Sequence, residues 1–118
     1  MIKTNQIYNE DCLEGMKRIE DNTIDLILTD LPYGVTQNIK DKQISLEKLW
    51  IQYERIIKEN GMICLFAQGK FYIDLVNSNK KMFRYDLIWD KVLTSGFLNA
   101  NRQPLRKHEQ IAIFYKKS

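Results

Sequence analysis

The sequence predicts an α/β layered domain with a largely parallel sheet, and three observations predict it. Apolar runs alternate with helix-period patterns along the chain. The runs are nearly continuous in Ile, Leu and aromatic residues, the composition of strands covered on both faces. A chain of 118 residues, 44% hydrophobic and without internal repeats, fits one globular domain.

Taken in order, Gln6 to Tyr8 is a short candidate strand. Asp11 can cap a helix running through Leu13, Met16 and Ile19, with Glu14 at its third position. Ile24 to Thr29 reads as a buried strand, followed by a loop from Leu31 to Ile44. Leu46, Leu49, Trp50, Tyr53, Ile56 and Ile57 recur at three- and four-residue spacing, so a helix is expected between an N-cap at Ser45 and a stop at Asn60-Gly61. Met62 to Ala67 is the next strand, and Phe71, Tyr72, Leu75 and Val76 give a third apolar helix face. Tyr85 to Trp89 and Gln110 to Tyr115 complete the strands. Cys64, Trp50 and Trp89 fall on apolar patterns and are expected in the core.

Between the last two strands lies a long loop, Lys91 to Lys107. It holds Lys91, Arg102, Arg106 and Lys107 without one acidic residue, although the whole chain carries a net charge of only +3. Long loops in compact domains are usually functional or disordered. A solvated surface loop and a nucleic-acid contact both fit this one, and Phe97 within it could stack against DNA. No apolar run approaches the ~20 residues of a membrane helix, and Met1 to Asn5 has no signal-peptide core, so a cytoplasmic protein with no membrane association is expected. Cys12 and Cys64 share no metal-type spacing; they read as reduced thiols, and no metal site is expected.

The informative segment is Thr23 to Gly34, where a buried strand ends in Asp30-Leu31-Pro32-Tyr33: an acid, a proline turn and an aromatic. Ligands of open α/β sheets sit at the carboxyl ends of strands. Alone, the four residues also suit a simple turn in which Asp30 caps and Pro32 shapes the chain.

Thr29 to Gly34 resembles motif IV of the amino-methyltransferases that act on adenine or cytosine in DNA. Four further segments follow that family's order. Asn9-Glu10-Asp11-Cys12-Leu13 resembles motif III, Asn60 to Phe66 motif VI, Tyr85 to Lys91 motif VII, and Asn101 to Glu109 with Ile111 to Phe114 motif VIII and its strand. The order is that of the permuted branch in which the catalytic half comes first. The resemblance implies a partial Rossmann-like, three-layer methyltransferase fold, S-adenosylmethionine as cofactor and DNA as partner. It places Asp30, Leu31, Pro32 and Tyr33 in catalysis and Asp11, Cys12 and Asp30 at the cofactor, while the uncompensated charge of the long loop points Lys91, Arg102, Arg106 and Lys107 at DNA. Adenine is favoured over cytosine because the motif opens with an acid.

The chemistry explains the motif. The lone pair of an exocyclic amino group is delocalised into the base, so the nitrogen is a poor nucleophile. Two acceptors gripping its N–H bonds, the Asp30 carboxylate and the Leu31 carbonyl, would localise that pair as it attacks. Pro32 disfavours helical backbone at Leu31 and so restricts the direction of its carbonyl. Tyr33 offers a flat face for an extruded base. No covalent intermediate is required, and His108, the single histidine, is read as structural.

Two departures stand out. Leu31 occupies a position where proline is usual, and the glycines at 15, 34, 61, 69 and 96 include no close pair for a cofactor loop. The cofactor loop and the target-recognition segment are therefore expected to be missing, and the strand at Ile24 to Thr29 to be a sheet edge that self-associates or receives a complementary C-terminal half. A non-catalytic remnant that binds DNA or a partner chain, and a methyltransferase acting on RNA or a protein amide, are the rival readings.

Overall fold

A computed structural model describes residues 2–32, 44–95 and 106–117. The elements run α1 (Cys12–Gly15), a 3-10 turn (Met16–Arg18), β1 (Ile24–Asp30), α2 (Leu46–Ile56), β2 (Ile57–Ala67), α3 (Gly69–Ser78), β3 (Phe83–Ser95) and β4 (Arg106–Phe114). The sheet order is β1-β2-β4-β3. β1 pairs with β2 in parallel, and β4 runs antiparallel to both β2 and β3. Three strands therefore point one way and β4 points against them, so only one neighbouring pair is parallel. The sheet is more mixed than the apolar runs alone suggest.

Capping follows the residue types. The Asp11 Oδ1 accepts from the Leu13 amide at 2.9 Å and opens α1. Ser45 Oγ accepts from the Lys48 amide at 3.4 Å and opens α2. The last carbonyls of α2 are satisfied from the turn before β1: Asn22 N–H donates to Arg55 O and Thr23 N–H to Ile56 O, both at 2.9 Å. Asn22 adopts φ 55°, a left-handed conformation that asparagine tolerates. Arg55 in turn donates to Ile19 O at 2.6 Å and Met16 O at 2.7 Å, and pairs with Asp21 at 2.8 Å. One guanidinium thereby ties the N-terminal turn to α2.

Directly paired residues share a face of the sheet. Ile27, Ile63, Leu65, Ala112 and Phe114 lie on the face covered by α2 and α3, and all join the core with Leu49, Trp50, Tyr53, Phe71 and Leu75. Trp50 meets Phe114 edge-on at 4.6 Å and donates from Nε1 to Ser78 Oγ at 2.8 Å. The opposite face carries no helix among the described residues. Cys64 and Ile113 at its centre are buried, but Leu26 (54% exposed), Leu28 (61%) and Leu87 stand open around them. Two of the three expected layers are thus described, and the strands are covered on one face rather than both.

Four expectations are corrected. Gln6 to Tyr8 is not a strand, and Ile7 is 99% exposed; the segment is held instead by Arg18, which pairs with Glu10 and lies over the Tyr8 ring. α2 ends at Ile56 rather than near Asn60, because Ile57 is drawn into the sheet opposite Ile24. The next pair is Leu26 with Met62, so the intervening β2 residues bulge out, with Lys58 Nζ on Asp25 Oδ1 at 2.9 Å. Trp89 is not core: it lies on the open face, 49% exposed, edge-on to Phe66 at 5.3 Å. The Lys91 to Lys107 loop is shorter than its lack of periodicity implies, since β3 continues to Ser95 and β4 begins at Arg106, opposite it.

Candidate active site

The site begins with the end of β1. Asp30 is its last residue, is exposed, and lies beside Phe66 of β2. The next residue, Leu31, turns its side chain into the core and is 3% exposed. Pro32 O accepts from the Ile44 amide at 3.2 Å, closing the base of the excursion that separates them. The residue before Asp30, Thr29, receives a hydrogen bond on Oγ1 from the buried Tyr53 hydroxyl of α2 at 3.3 Å. Tyr33, expected as the stacking face, lies outside the described residues.

The motif III-like segment lies against α2, where Asp11, Leu13, Glu14 and Lys17 line a cleft with Lys48, Ile51 and Gln52. Asp11 caps α1, and Cys12 is its first residue, exposed. Burial raises the Tyr53 hydroxyl above the ordinary tyrosine range, the Thr29 bond opposes this, and proximity to Cys12 adds to the rise. Tyr53 thereby links α2 to the end of β1. Partial burial, and then the Asp11 carboxylate, push the Cys12 thiol above its usual range; burial alone does so for Cys64. A thiol disfavoured from ionising is a poor nucleophile. That agrees with chemistry that forms no covalent intermediate.

The basic residues are arranged by the strand ladder. Asp30 aligns with Phe66, Phe66 with Ile111, and Ile111 with Leu87. β2 pairs with β4 only as far as Ala67 and Gln110, whereas β3 and β4 continue through Asp90 and His108 to Ser95 and Arg106. This two-stranded extension projects past the carboxyl edge that bears Asp30. Lys91 lies on its β3 arm, and Arg106 and Lys107 open its β4 arm; Arg102 and Phe97 lie outside the described residues. At its root, exposed His108 lines a cleft of about 200 Å³ with Gln68, Gly69 and Gln110. Sequence reading missed the hydroxyl of Tyr53 as a support and Phe66 with Trp89 as an aromatic pair near Asp30. A tyrosine at a buried helical position was the one available signal for the first.

The fold that carries this strand end, with its β1-β2-β4-β3 sheet, is similar to that of solved DNA methyltransferases. The M1.HpyAVI–SAM complex superposes with a TM-score of 0.68 at 22% identity, covering 96% of this chain and 54% of that one. The PvuII cytosine-N4-specific DNA methyltransferase gives 0.67 at 14% identity, covering 93% and 48%. At these identities the likeness establishes the fold. The sequence itself places the protein further: residues 24–118 match the DNA methylase family model, and the chain belongs to that family. The Type II methyltransferase M.BglII of Bacillus subtilis is 29% identical over 132 aligned positions, covering 95% of this chain but 35% of its own length. The chain thus spans about a third to about half of these relatives.

Proposed function

We propose that this chain is the catalytic half of an enzyme that transfers methyl from S-adenosylmethionine to the exocyclic amino group of adenine in DNA. The observation that carries the reading is the end of β1: an exposed Asp30 followed by a Leu31 whose side chain is buried and a Pro32 whose carbonyl is bonded to Ile44. S-adenosylmethionine, when bound, supplies an electrophilic methyl on a sulfonium. The Asp30 carboxylate and the Leu31 carbonyl accept the two amino N–H bonds of the base. As the new N–C bond would form and the methyl–sulfur bond break, its electron pair staying on sulfur as a neutral thioether, positive charge would grow on that nitrogen, and a carboxylate held beside it would stabilise the charge. The amino proton then leaves through Asp30 to solvent. Tyr33 stacks on the base.

The residues fit the cofactor in part. Asp11, an exposed acid at the start of α1 that shares a cleft with Lys48 of α2, has the chemistry to accept from the hydroxyl or amino groups of a nucleoside, with Cys12 beside it. The glycines among the described residues, 15, 61 and 69, form no close pair that would cradle the amino-acid end. That grip comes from residues completing the sheet along β1 and over its open face, the part of a methyltransferase that this chain does not span. Lys91, Arg102, Arg106 and Lys107 follow the DNA backbone.

The test is a chimaera in which residues 1–118 replace the matching stretch of the Bacillus subtilis relative. Incubation with cofactor and DNA, followed by nucleoside analysis, should yield N6-methyladenine. N4-methylcytosine in its place overturns the choice of base. A folded chimaera that methylates RNA or protein but not DNA overturns the substrate.

A further inference from the structure

The turn that carries Asp30 is held at three points, and one of them has a role that the family motif does not contain. Leu31 stands where a proline ring would stiffen the chain. Here stiffness comes from anchoring instead: the Leu31 side chain is in the core, Pro32 O is bonded to Ile44 N at 3.2 Å, and Thr29 Oγ1 is bonded to Tyr53 OH at 3.3 Å. The anchors bracket Asp30 and the Leu31 carbonyl from both sides. The Tyr53 anchor also comes from the best-packed helix of the domain, where its ring meets Trp50 edge-on at 5.9 Å. Its hydroxyl is therefore at a fixed point of the scaffold rather than on a loop.

We infer that Tyr53 is a positioning residue, fixing the end of β1 through Thr29 so that the Asp30 carboxylate and the Leu31 carbonyl are aimed together. The inference rests on the proposed methyl transfer for its consequence, but not for its geometry. A core tyrosine whose hydroxyl merely needed a partner would stabilise the whole domain. A positioning tyrosine acts on two residues. Burial pushes ionisation of the phenol to higher pH, so the hydroxyl keeps its proton and remains a donor to Thr29.

Two readouts separate these possibilities. Amide hydrogen exchange on the 118-residue chain needs no cofactor. Tyr53→Phe keeps the ring and removes the hydroxyl, and should speed exchange at Asp30 and Leu31 by about threefold to tenfold, the factor that corresponds to one modest hydrogen bond. Exchange at Leu65 and Ala112, in the centre of the sheet, should hold. Thr29→Val should reproduce the effect, and the double variant should add nothing to either single. In the chimaera, Tyr53→Phe should lower kcat by a similar factor with KM for DNA and cofactor unchanged. Unchanged exchange at residues 30 and 31, a uniform rise across the sheet, or additive single effects overturns the positioning role. A wild-type chimaera without methyl transfer removes the proposed function but leaves the exchange result to decide the anchor.

Discussion

Gly61 shows how one residue is dictated by its surroundings. A Cβ there would lie 2.8 Å from Ile57 Cδ1 and 3.0 Å from the Asp25 carbonyl oxygen. Ile57 is fully buried and the carbonyl belongs to the backbone, so neither can move cheaply. Gly61→Ala should cost about 1–3 kcal/mol, as overpacked cores do, read as a lower urea midpoint with an unchanged slope. At Asp30 the consequence is chemical: Asp30→Ala in the assembled enzyme should lower methyl transfer by roughly a hundredfold or more, the effect of removing one preorganised electrostatic group. Near-normal turnover would remove Asp30 from the mechanism. The place of Asp30 at a strand end was legible because its signal is local, a carboxylate between an apolar run and a proline turn. Gly61 reads in sequence as a helix stop but lies within β2, and the Asp25 carbonyl that excludes a side chain there comes from another strand. Tyr53 was legible as core for the same local reason, and its hydroxyl partner, 24 positions away, was not. Trp89 was misread because its pattern resembles that of a buried strand, while the face it occupies carries no helix among the described residues.

At the scale of elements, the four long strands and the two long helices follow from periodicity, and their ends do not. α2 stops at Ile56 because the sheet captures Ile57, a tertiary event that helical spacing cannot register. β3 and β4 outrun their apolar cores because strand pairing, once begun at Phe83 and Phe114, continues into polar sequence as far as Ser95 and Arg106. Lys91, Arg106 and Lys107 thereby stand on a ribbon beyond the Asp30 edge instead of a formless loop, which suits the proposed contact with DNA. Each phosphate neutralised adds about one unit to the slope of log affinity against log salt. Replacing Arg102 and Arg106 together by Gln should flatten that slope for duplex DNA by about two units, with little change in stability. An unchanged slope would mean that the ribbon points away from the DNA backbone.

For the whole molecule, the main unfinished feature is the side opposite α2 and α3. β1 is an edge strand, and beside it Leu26 and Leu28 stand more than half exposed, with Leu87 and Trp89 open at the far edge of the same face. Edges of this kind pair with another chain unless charge or bulges blunt them, and an exposed apolar sheet face of this breadth is an interaction surface. The acids of β1, Asp25 and Asp30, lie near its ends and leave the stretch from Leu26 to Thr29 uncharged. These relatives are about two to three times as long as this chain, so the proposed reading makes their further residues the occupant of this edge and face. Studied alone, the 118-residue chain should self-associate through the surface those residues would cover. Leu28→Lys should shift the sedimentation profile toward monomer while leaving the thermal unfolding of the α2–α3 side intact. The same reasoning sets the cofactor affinity. On the proposed reading Asp11 and Asp30 hold S-adenosylmethionine without a loop around its amino-acid end, so calorimetry on these 118 residues should detect only weak binding, and no methyl should reach DNA. Low-micromolar affinity together with turnover by the isolated chain would show that a complete site exists without the open edge being filled.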